Sequence, residues 1–364
     1  MSTDLRTAVL LCAGRATRLW PVTLARPKAL IEVANKPIVA RILEKLAAAG
    51  FERAIIVIPA GDSALPNYLA ANPVEGIELS FVAQEHPRGL ADATACAAEA
   101  VGDEPFMLHL GDELIEGGVE ELVRQATKPG AIATVLLKAV EDPRHFGVAV
   151  IEEGRIVEFI EKPAEPPSPY AIVGLYAFTP LIFEAIAATK PSKETGEVEI
   201  TDALQWLIEE GHVVRPAVFE GQWFDVGRFE TLLAANRYYL TAEITEPPPP
   251  LGEHCSTIGY AKVSRNCTMV DSVIKGPCII AAGCELQNAT IGPNVAIAEA
   301  CTIRNSTVSN CIIGRGCTVV DVPGGLVNSV LGMDVHVTGG GTEMPMQVFA
   351  ADRTVVGLGV TEEE

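Results

Sequence analysis

The chain has 364 residues, a formal net charge of −20 at pH 7, and 48% hydrophobic but only 5% aromatic residues. That length exceeds one compact core and predicts two domains, while so strong a negative charge excludes nonspecific binding to nucleic acid, whose phosphates it would repel. The first residues lack the pattern of a secretory leader and no run of about 18 apolar residues occurs, so a soluble, cytoplasmic protein without a membrane partner is expected.

The first predicted element is a buried strand over 7–12, TAVLLC. The stretch that follows it, LCAGRATRLWPVTLARPK (11–28), gathers Arg15, Arg18, Arg26 and Lys28 around a single glycine, Gly14. In an open α/β sheet ligands bind beyond the carboxyl ends of the strands, and the loop after the first strand is a favoured place. Gly14 lets backbone approach a phosphate, Arg18 can hold two phosphate oxygens at once, and Lys28 supplies a mobile point charge. An ordinary solvated basic loop is the competing reading. The G-x-G-x-x-G turn and the G-K-[ST] of a P-loop are both absent.

A helix is predicted from 37 to 49, with Ile38, Ile42, Leu43 and Leu46 on one face and Pro37 in the tolerated first turn. RAIIVI (53–58), ELSFVA (78–83), PFMLHL (105–110) and AIATVLLK (131–138) read as buried strands. Their alternation with helical stretches predicts an α/β domain with a mostly parallel sheet covered on both faces. FGVAVIEEGRIVEFIEKP (146–163) reads instead as a hairpin turning at Glu153 and Gly154.

LLAANRYYLTAEI is helical in period, and TEPPPPLGE (245–253) then gives an extended, semi-rigid connector. Beyond it the pattern changes. Ile274, Ile280, Leu286, Ile291, Ile297, Ile303, Val308, Ile313 and Val319 recur in steps of five or six, a period that suits stacked β-solenoid coils. The pattern resembles left-handed parallel β-helices built from hexapeptide repeats. Seven of the nine cysteines fall between Cys255 and Cys317, with no C-x-x-C pair, and read as small apolar residues of the repeat rather than metal ligands or disulfides. The division expected is an α/β domain over 1–240, a proline-rich linker over 241–252, the β-helix over 253–345, and a strand (355–360) with an acidic tail within 346–364.

The order of motifs in the first 240 residues resembles the sugar-1-phosphate nucleotidylyltransferases. AGRATRLWPVTLARPKALIEVANKPI parallels the family's A-G-x-G-T-R-L, P-K and A-N-K-P signature. QEHPRGLADA (84–93), LGDELI (110–115), FGVAV (146–150), EFIEKP (158–163), IVGLYAF (172–178), GEVEITDALQWL (196–207) and WFDVGRFETLLAAN (223–236) follow in family order. With the β-helix behind it, the chain is most similar to the long-form glucose-1-phosphate thymidylyltransferases. The resemblance implies a Rossmann-like nucleotidyltransferase domain followed by a left-handed β-helix.

The implied reaction joins a nucleoside triphosphate to a sugar 1-phosphate, releasing pyrophosphate. Both reactants are polyanions, so catalysis should consist of positioning and charge neutralisation. By resemblance Arg18, Lys28 and Lys162 are the catalytic cations, Arg18 holding the β- and γ-phosphates, Lys28 the α-phosphate and Lys162 the sugar phosphate. Leu11, Ala13, Gly14, Gln84, Gly89 and Asp112 line the nucleotide, Gln84 pairing with the imide edge of a pyrimidine and Gly89 clearing room for the ring. Gly147, Glu161, Lys162, Gly174 and Tyr176 line the sugar phosphate, the glycines letting the sugar lie against backbone and Tyr176 flanking it unless it is a core residue. Asp112 and Asp225 bind Mg2+, although each also suits a turn or helix cap. Two departures stand out. Ala16 replaces a glycine, costing about 1 kcal/mol or more if its φ is positive, and Glu113 stands where an uncharged residue is frequent.

The nucleotide expected is dTTP and the sugar glucose 1-phosphate. Alternatives are a uridylyltransferase acting on glucose or N-acetylglucosamine 1-phosphate, a mannose-1-phosphate guanylyltransferase, a non-catalytic relative, or an added acetyltransferase activity in the β-helix. The non-catalytic reading conflicts with the presence of every implied lysine and aspartate, and acetyl transfer with the scarcity of histidine beyond residue 253, where only His254 and His336 occur. The β-helix is expected to mediate homo-oligomerisation.

Overall fold

The first strand, β1 (Thr7–Leu11), is buried at every position because strands run along both of its sides. The computed structural model describes residues 5–14, 16–192, 196–339 and 344–358, so Arg15 and the acidic tail lie outside the described residues. Contacts divide the chain into two compact units, Met1–Arg15 with Val39–Trp223, and Ala16–Ile38 with Phe224–Glu364. By these contacts the segment from 16 to 38 groups with the β-helix.

The first unit holds a nine-stranded sheet. Its strands are β1, β2 (Arg53–Pro59), β3 (Glu78–Gln84), β4 (Phe106–Leu110), β5 (Ala131–Ala139), β6 (Gly147–Glu152), β7 (Arg155–Glu161), β8 (Tyr170–Phe178) and β9 (Val213–Val218). β4, β1, β2 and β3 run parallel in that order, as Val9 opposite both Ile55 and Leu108 illustrates. In the other half only β9 and β5 pair in parallel. β8 pairs antiparallel with β4, β5 and β6, and β6 with β7, so the sheet is mixed where a mostly parallel one was expected. The change comes at β8, antiparallel to β4, and the 147–161 hairpin adds a further antiparallel pair, turned by Glu153 (φ 49°) and Gly154 (φ 76°) in a left-handed two-residue turn.

The helices α1 (Ile38–Ala48), α2 (Ala64–Ala71), α3 (Leu90–Cys96), α4 (Val119–Ala126), α5 (Leu181–Ala188) and α6 (Ile200–Glu209) occupy the stretches between strands. The predicted face of α1 is buried, none of Ile38, Ile42, Leu43 and Leu46 being more than 2% exposed. On the other side of the sheet Phe106 meets Phe178 edge-on and stacks on Phe183, with ring centroids 5.8 and 5.4 Å apart.

One polar ring sits inside this core. His109 on β4 is 4% exposed, with Nδ1 2.7 Å from the Leu110 carbonyl. Burial lowers its pKa to about 4; the carbonyl and Asp112 oppose the shift and Lys45 adds to it. The unfolded chain therefore takes up a proton near pH 6.5 that the folded chain refuses until about pH 4. Acidification through that window should cost stability at no more than about 1.4 kcal/mol per pH unit. Urea unfolding between pH 7 and 4 checks this: His109→Phe should flatten the slope relative to the wild type.

The second unit contains α7 (Phe229–Glu243) and the β-helix, whose short parallel strands form three sheets of five, six and six strands. Ser256 pairs with Val273 and Val273 with Thr290, a coil of 17 residues. All nine apolar residues of the predicted ladder are at most 1% exposed. Corners are turned by left-handed Asp271, Asn288, Asn305 and Asp321, residue types that tolerate positive φ. Their amides also link coils, Asn288 to Asn305 at 3.1 Å and Asn305 to Asp321 at 2.8 Å. The cysteines stack as expected, and none is in a disulfide. Cys267, Cys284, Cys301 and Cys317 each donate their thiol to a carbonyl of the next coil, those of Ala281, Ala298, Gly314 and Gly332. The predicted last strand is Val355–Leu358, with 359 and 360 outside the described residues. No helix among the described residues is long and apolar enough to cross a membrane.

Candidate active site

Because β1 to β4 are parallel, their carboxyl ends lie along one edge of the first unit. There the Cys12 N–H donates to Val57 O and the Gly111 N–H to Leu11 O, both at 2.8 Å, which ties the ends of β1, β2 and β4 together. A β-carbon on Gly111 would lie 2.6 Å from the Cys12 sulfur, so only glycine permits this approach. Leu11 and Ala13 are each 7% exposed and form an apolar floor. Gly14 is exposed with nothing within 4 Å of its missing side chain, leaving its backbone open to a ligand. Asp112 follows at the end of β4, half-buried, and close enough to the half-buried Cys12 to add to the desolvation that raises that thiol's pKa.

Gln84 ends β3, 6% exposed, and its Nε2 donates to Asp92 Oδ2 at 2.8 Å. Gly89, expected to clear room for a base, has another reason to be glycine. Its φ is 107°, and a β-carbon there would lie 2.7 Å from Val198 O. The Val198 N–H donates to Arg88 O at 2.9 Å, so the loop before α3 is docked on residue 198.

The ends of the hairpin supply Gly147 opposite Glu161. Glu161 bonds in two directions: Oε1 to Lys162 Nζ at 2.7 Å, and Oε2 to the Thr201 hydroxyl at 3.2 Å. Lys162 is exposed and held in the left-handed region at φ 42°, with its N–H donating to Phe146 O at 3.2 Å. Non-glycine residues in that region carry backbone strain of about 1–3 kcal/mol, a feature that clusters at ligand sites. A β-carbon on Gly147 would meet Ile172, Thr201 and Glu161 at 2.9 to 3.2 Å.

Two residues expected in the sugar pocket have packing roles of their own. Gly174 sits in a β-bulge of β8 at φ 72°, and its missing side chain faces Leu110 and Glu113 at 2.7 and 2.9 Å, so packing and conformation account for it. Tyr176 is 2% exposed and stacks on Phe178 with centroids 5.4 Å apart. Its ring packs within the core, and burial, reinforced by Glu161 and Glu113, raises its pKa. Glu113 is likewise buried, accepting the indole N–H of Trp223 at 2.6 Å. Sequence reasoning missed Thr201 and Asp92 as partners of Glu161 and Gln84, although both fall inside quoted motifs.

The second unit carries Arg18, Lys28 and Asp225. Ala16 does adopt positive φ (48°), the strained case for a non-glycine, and its carbonyl accepts the Thr23 hydroxyl at 2.9 Å. Arg18 is exposed, and its Nη2 lies 3.0 Å from where a β-carbon on Gly227 would stand. Asp225 is on the same glycine, its Oδ1 accepting the Gly227 N–H at 2.9 Å. Lys28 opens a single helical turn, Lys28–Leu30, and is half-buried. This segment is pinned at three points. Arg26 pairs with Asp352 at 2.5 Å, Asn35 Nδ2 donates to Ile297 O at 2.7 Å, and the Ala34 N–H donates to the fully buried Asn236 at 2.8 Å.

Among the described residues no group of three or more His, Cys, Asp or Glu side chains is arranged to hold a metal ion. Asp112, in the first unit, and Asp225, in the second, are each a hard carboxylate of the kind Mg2+ takes, the ion drawing its other ligands from water and phosphate.

A family model described as "Nucleotidyl transferase" matches residues 7–242. A glucose-1-phosphate thymidylyltransferase of Streptomyces antibioticus is 40% identical over 294 residues, 79% of this chain and 81% of its own length. Another, of Streptomyces griseus, is 37% identical over 336 residues, 91% and 93% of the two chains. Among solved structures, a UDP-glucose pyrophosphorylase complexed with UDP-glucose superposes with a TM-score of 0.61 at 28% identity, covering 66% of this chain and all of that one.

Proposed function

The chain belongs to the nucleotidyl transferase family, and we propose that it is a sugar-1-phosphate nucleotidyltransferase that makes a nucleotide sugar from dTTP and glucose 1-phosphate. The observation that carries this reading is the likeness to two glucose-1-phosphate thymidylyltransferases over most of the chain. The geometry is in keeping with it. An open glycine backbone, a buried amide and a Glu–Lys pair lie in the first unit, and two cations with an aspartate lie in the second.

In the reaction an oxygen of the sugar phosphate attacks the α-phosphorus, the new P–O bond forms, and the bond to the β-phosphate breaks to release pyrophosphate. Arg18 offers its planar fork to the β- and γ-phosphates, where two parallel bonds fix orientation as well as charge. Lys28 offsets charge that develops on the α-phosphate and the leaving group. Lys162 holds the attacking phosphate, and Glu161, braced by Thr201, accepts bonds from sugar hydroxyls. Leu11, Ala13 and Gly14 receive the nucleotide, and Gln84 reads its base. Asp112 and Asp225 are the residues proposed to hold Mg2+, which would supply neutralisation of phosphate charge there.

The reading also includes a cytoplasmic homo-oligomer assembled through the β-helix, where Ile258, Tyr260 and Val355 leave apolar surface exposed. The experiment that tests the activity is pyrophosphate release by the full chain with Mg2+, across dTTP, UTP, dCTP and GTP and across glucose, N-acetylglucosamine and mannose 1-phosphates. Turnover with dTTP and glucose 1-phosphate is expected to lead. A leading rate with UTP would make the chain a uridylyltransferase, and no turnover with any pair would refute the assignment.

A further inference from the structure

Gln84 is 6% exposed and donates through Nε2 to Asp92 Oδ2 at 2.8 Å. Asp92 stands in the first turn of α3, immediately after the docked loop around Gly89. An ionised carboxylate accepts hydrogen bonds and cannot donate them. Turning the Gln84 amide over would set its oxygen against the carboxylate, two acceptors with no proton between them at a part-buried contact, and both would lose their partner. One orientation of the amide is therefore satisfied. It turns the nitrogen toward Asp92, commits one of the two N–H groups there, and leaves Oε1 with the second N–H as an adjacent acceptor and donor.

That pair has a chemical meaning. The imide edge of thymine or uracil presents a ring N–H beside a carbonyl oxygen, which an acceptor and a donor in this order can read together. Cytosine presents the reverse at the same two positions, a bare ring nitrogen beside an amino group, and fits only the turned amide. We propose that Asp92 is a positioning residue that locks the amide of Gln84 in one sense and so makes the site select an imide base over cytosine. The proposal rests on the reading of Gln84 as the group that meets the base. Asp92 itself touches no substrate in this account.

The test is steady-state kinetics of the full chain with dTTP, UTP, dCTP and CTP at saturating glucose 1-phosphate and Mg2+, for wild type, Gln84→Ala, Asp92→Asn and Asp92→Glu. Asn has the shape of Asp but can donate, so either sense of the Gln84 amide finds a partner. Asp92→Asn is expected to lower the ratio of kcat/KM for dTTP over dCTP by about tenfold or more, chiefly by raising KM for dTTP and lowering it for dCTP. Asp92→Glu keeps an acceptor and should retain most of the ratio. A merely structural role would weaken dTTP and dCTP alike. If Gln84→Ala collapses the ratio while Asp92→Asn leaves it within about twofold of wild type, the proposal for Asp92 is wrong and the reading of Gln84 stands. If Gln84→Ala leaves the ratio intact, the reading of Gln84 itself fails. Asp92→Ser, which can also donate, carries the same outcomes should Asp92→Asn not fold.

Discussion

Replacing Asp112 by Asn is expected to lower kcat by about two to three orders of magnitude, the usual consequence of losing one group that stabilises charge during reaction. The substitution keeps shape and removes charge. Asp112 is half-buried, between Gly111, which is hydrogen-bonded to Leu11, and the buried Glu113, so its placement is set by backbone that Asn would not disturb. The neighbouring carboxylate is the control. Glu113 accepts the Trp223 indole N–H at 2.6 Å, a bond that the amide oxygen of Gln can also accept. Glu113→Gln should therefore stay within about tenfold of wild type in kcat while losing about 1 kcal/mol of stability. Pyrophosphate release over a range of Mg2+ concentrations checks both variants. Should the two lose similar activity, or Asp112→Asn keep more than about a tenth, Asp112 is not the group proposed.

The second large effect is on stability. Asp352→Ala is expected to cost the second unit about 3–5 kcal/mol, because it leaves the Arg26 guanidinium buried without its counter-charge. The two side chains are 12% and 14% exposed and lie 2.5 Å apart. Asp352 also accepts the Met333 N–H at 2.8 Å, so its loss breaks the main chain's support as well as the ion pair. Removing both charges is a different matter: apolar replacements of similar volume at a buried pair are often close to neutral. Arg26→Met combined with Asp352→Leu should accordingly recover much of the loss. Denaturant unfolding of the single and double variants gives the coupling directly, and additive effects would mean that the pair contributes nothing as a pair. Arg26 is two residues before Lys28, so Asp352→Ala should lower turnover as well.

Much of this molecule was legible from short-range pattern. The apolar runs 53–58, 105–110 and 131–138 became β2, β4 and β5 within a residue or two, since a strand buried on both faces must be apolar throughout; 78–83, also expected to be buried, became the edge strand β3, which is largely exposed up to the buried Gln84. The five-to-six step of the β-helix and its cysteine ladder were legible for the same reason: each coil repeats the environment of the last. What escaped was set by neighbours remote in sequence. Nothing near Tyr176 says whether its ring faces a ligand or Phe178, and nothing near Gly89 announces Val198. The sign of φ at Ala16 was equally hidden, because alanine ordinarily marks a negative one. The partners of the basic segment lie 202 and 326 residues away, beyond any periodicity.

The way that segment is pinned bears on how such chains can be recombined. Foreign coils grafted behind the proline run would still offer the main-chain oxygens that Asn35 and Asn236 use, at Ile297 and Asn294, because any coil supplies carbonyls there. They would not supply the carboxylate of Asp352, or the ring of Phe349 that lies 3.8 Å from Phe229. Whether a chimera matures therefore turns on the final rung of the graft, the part farthest from the splice.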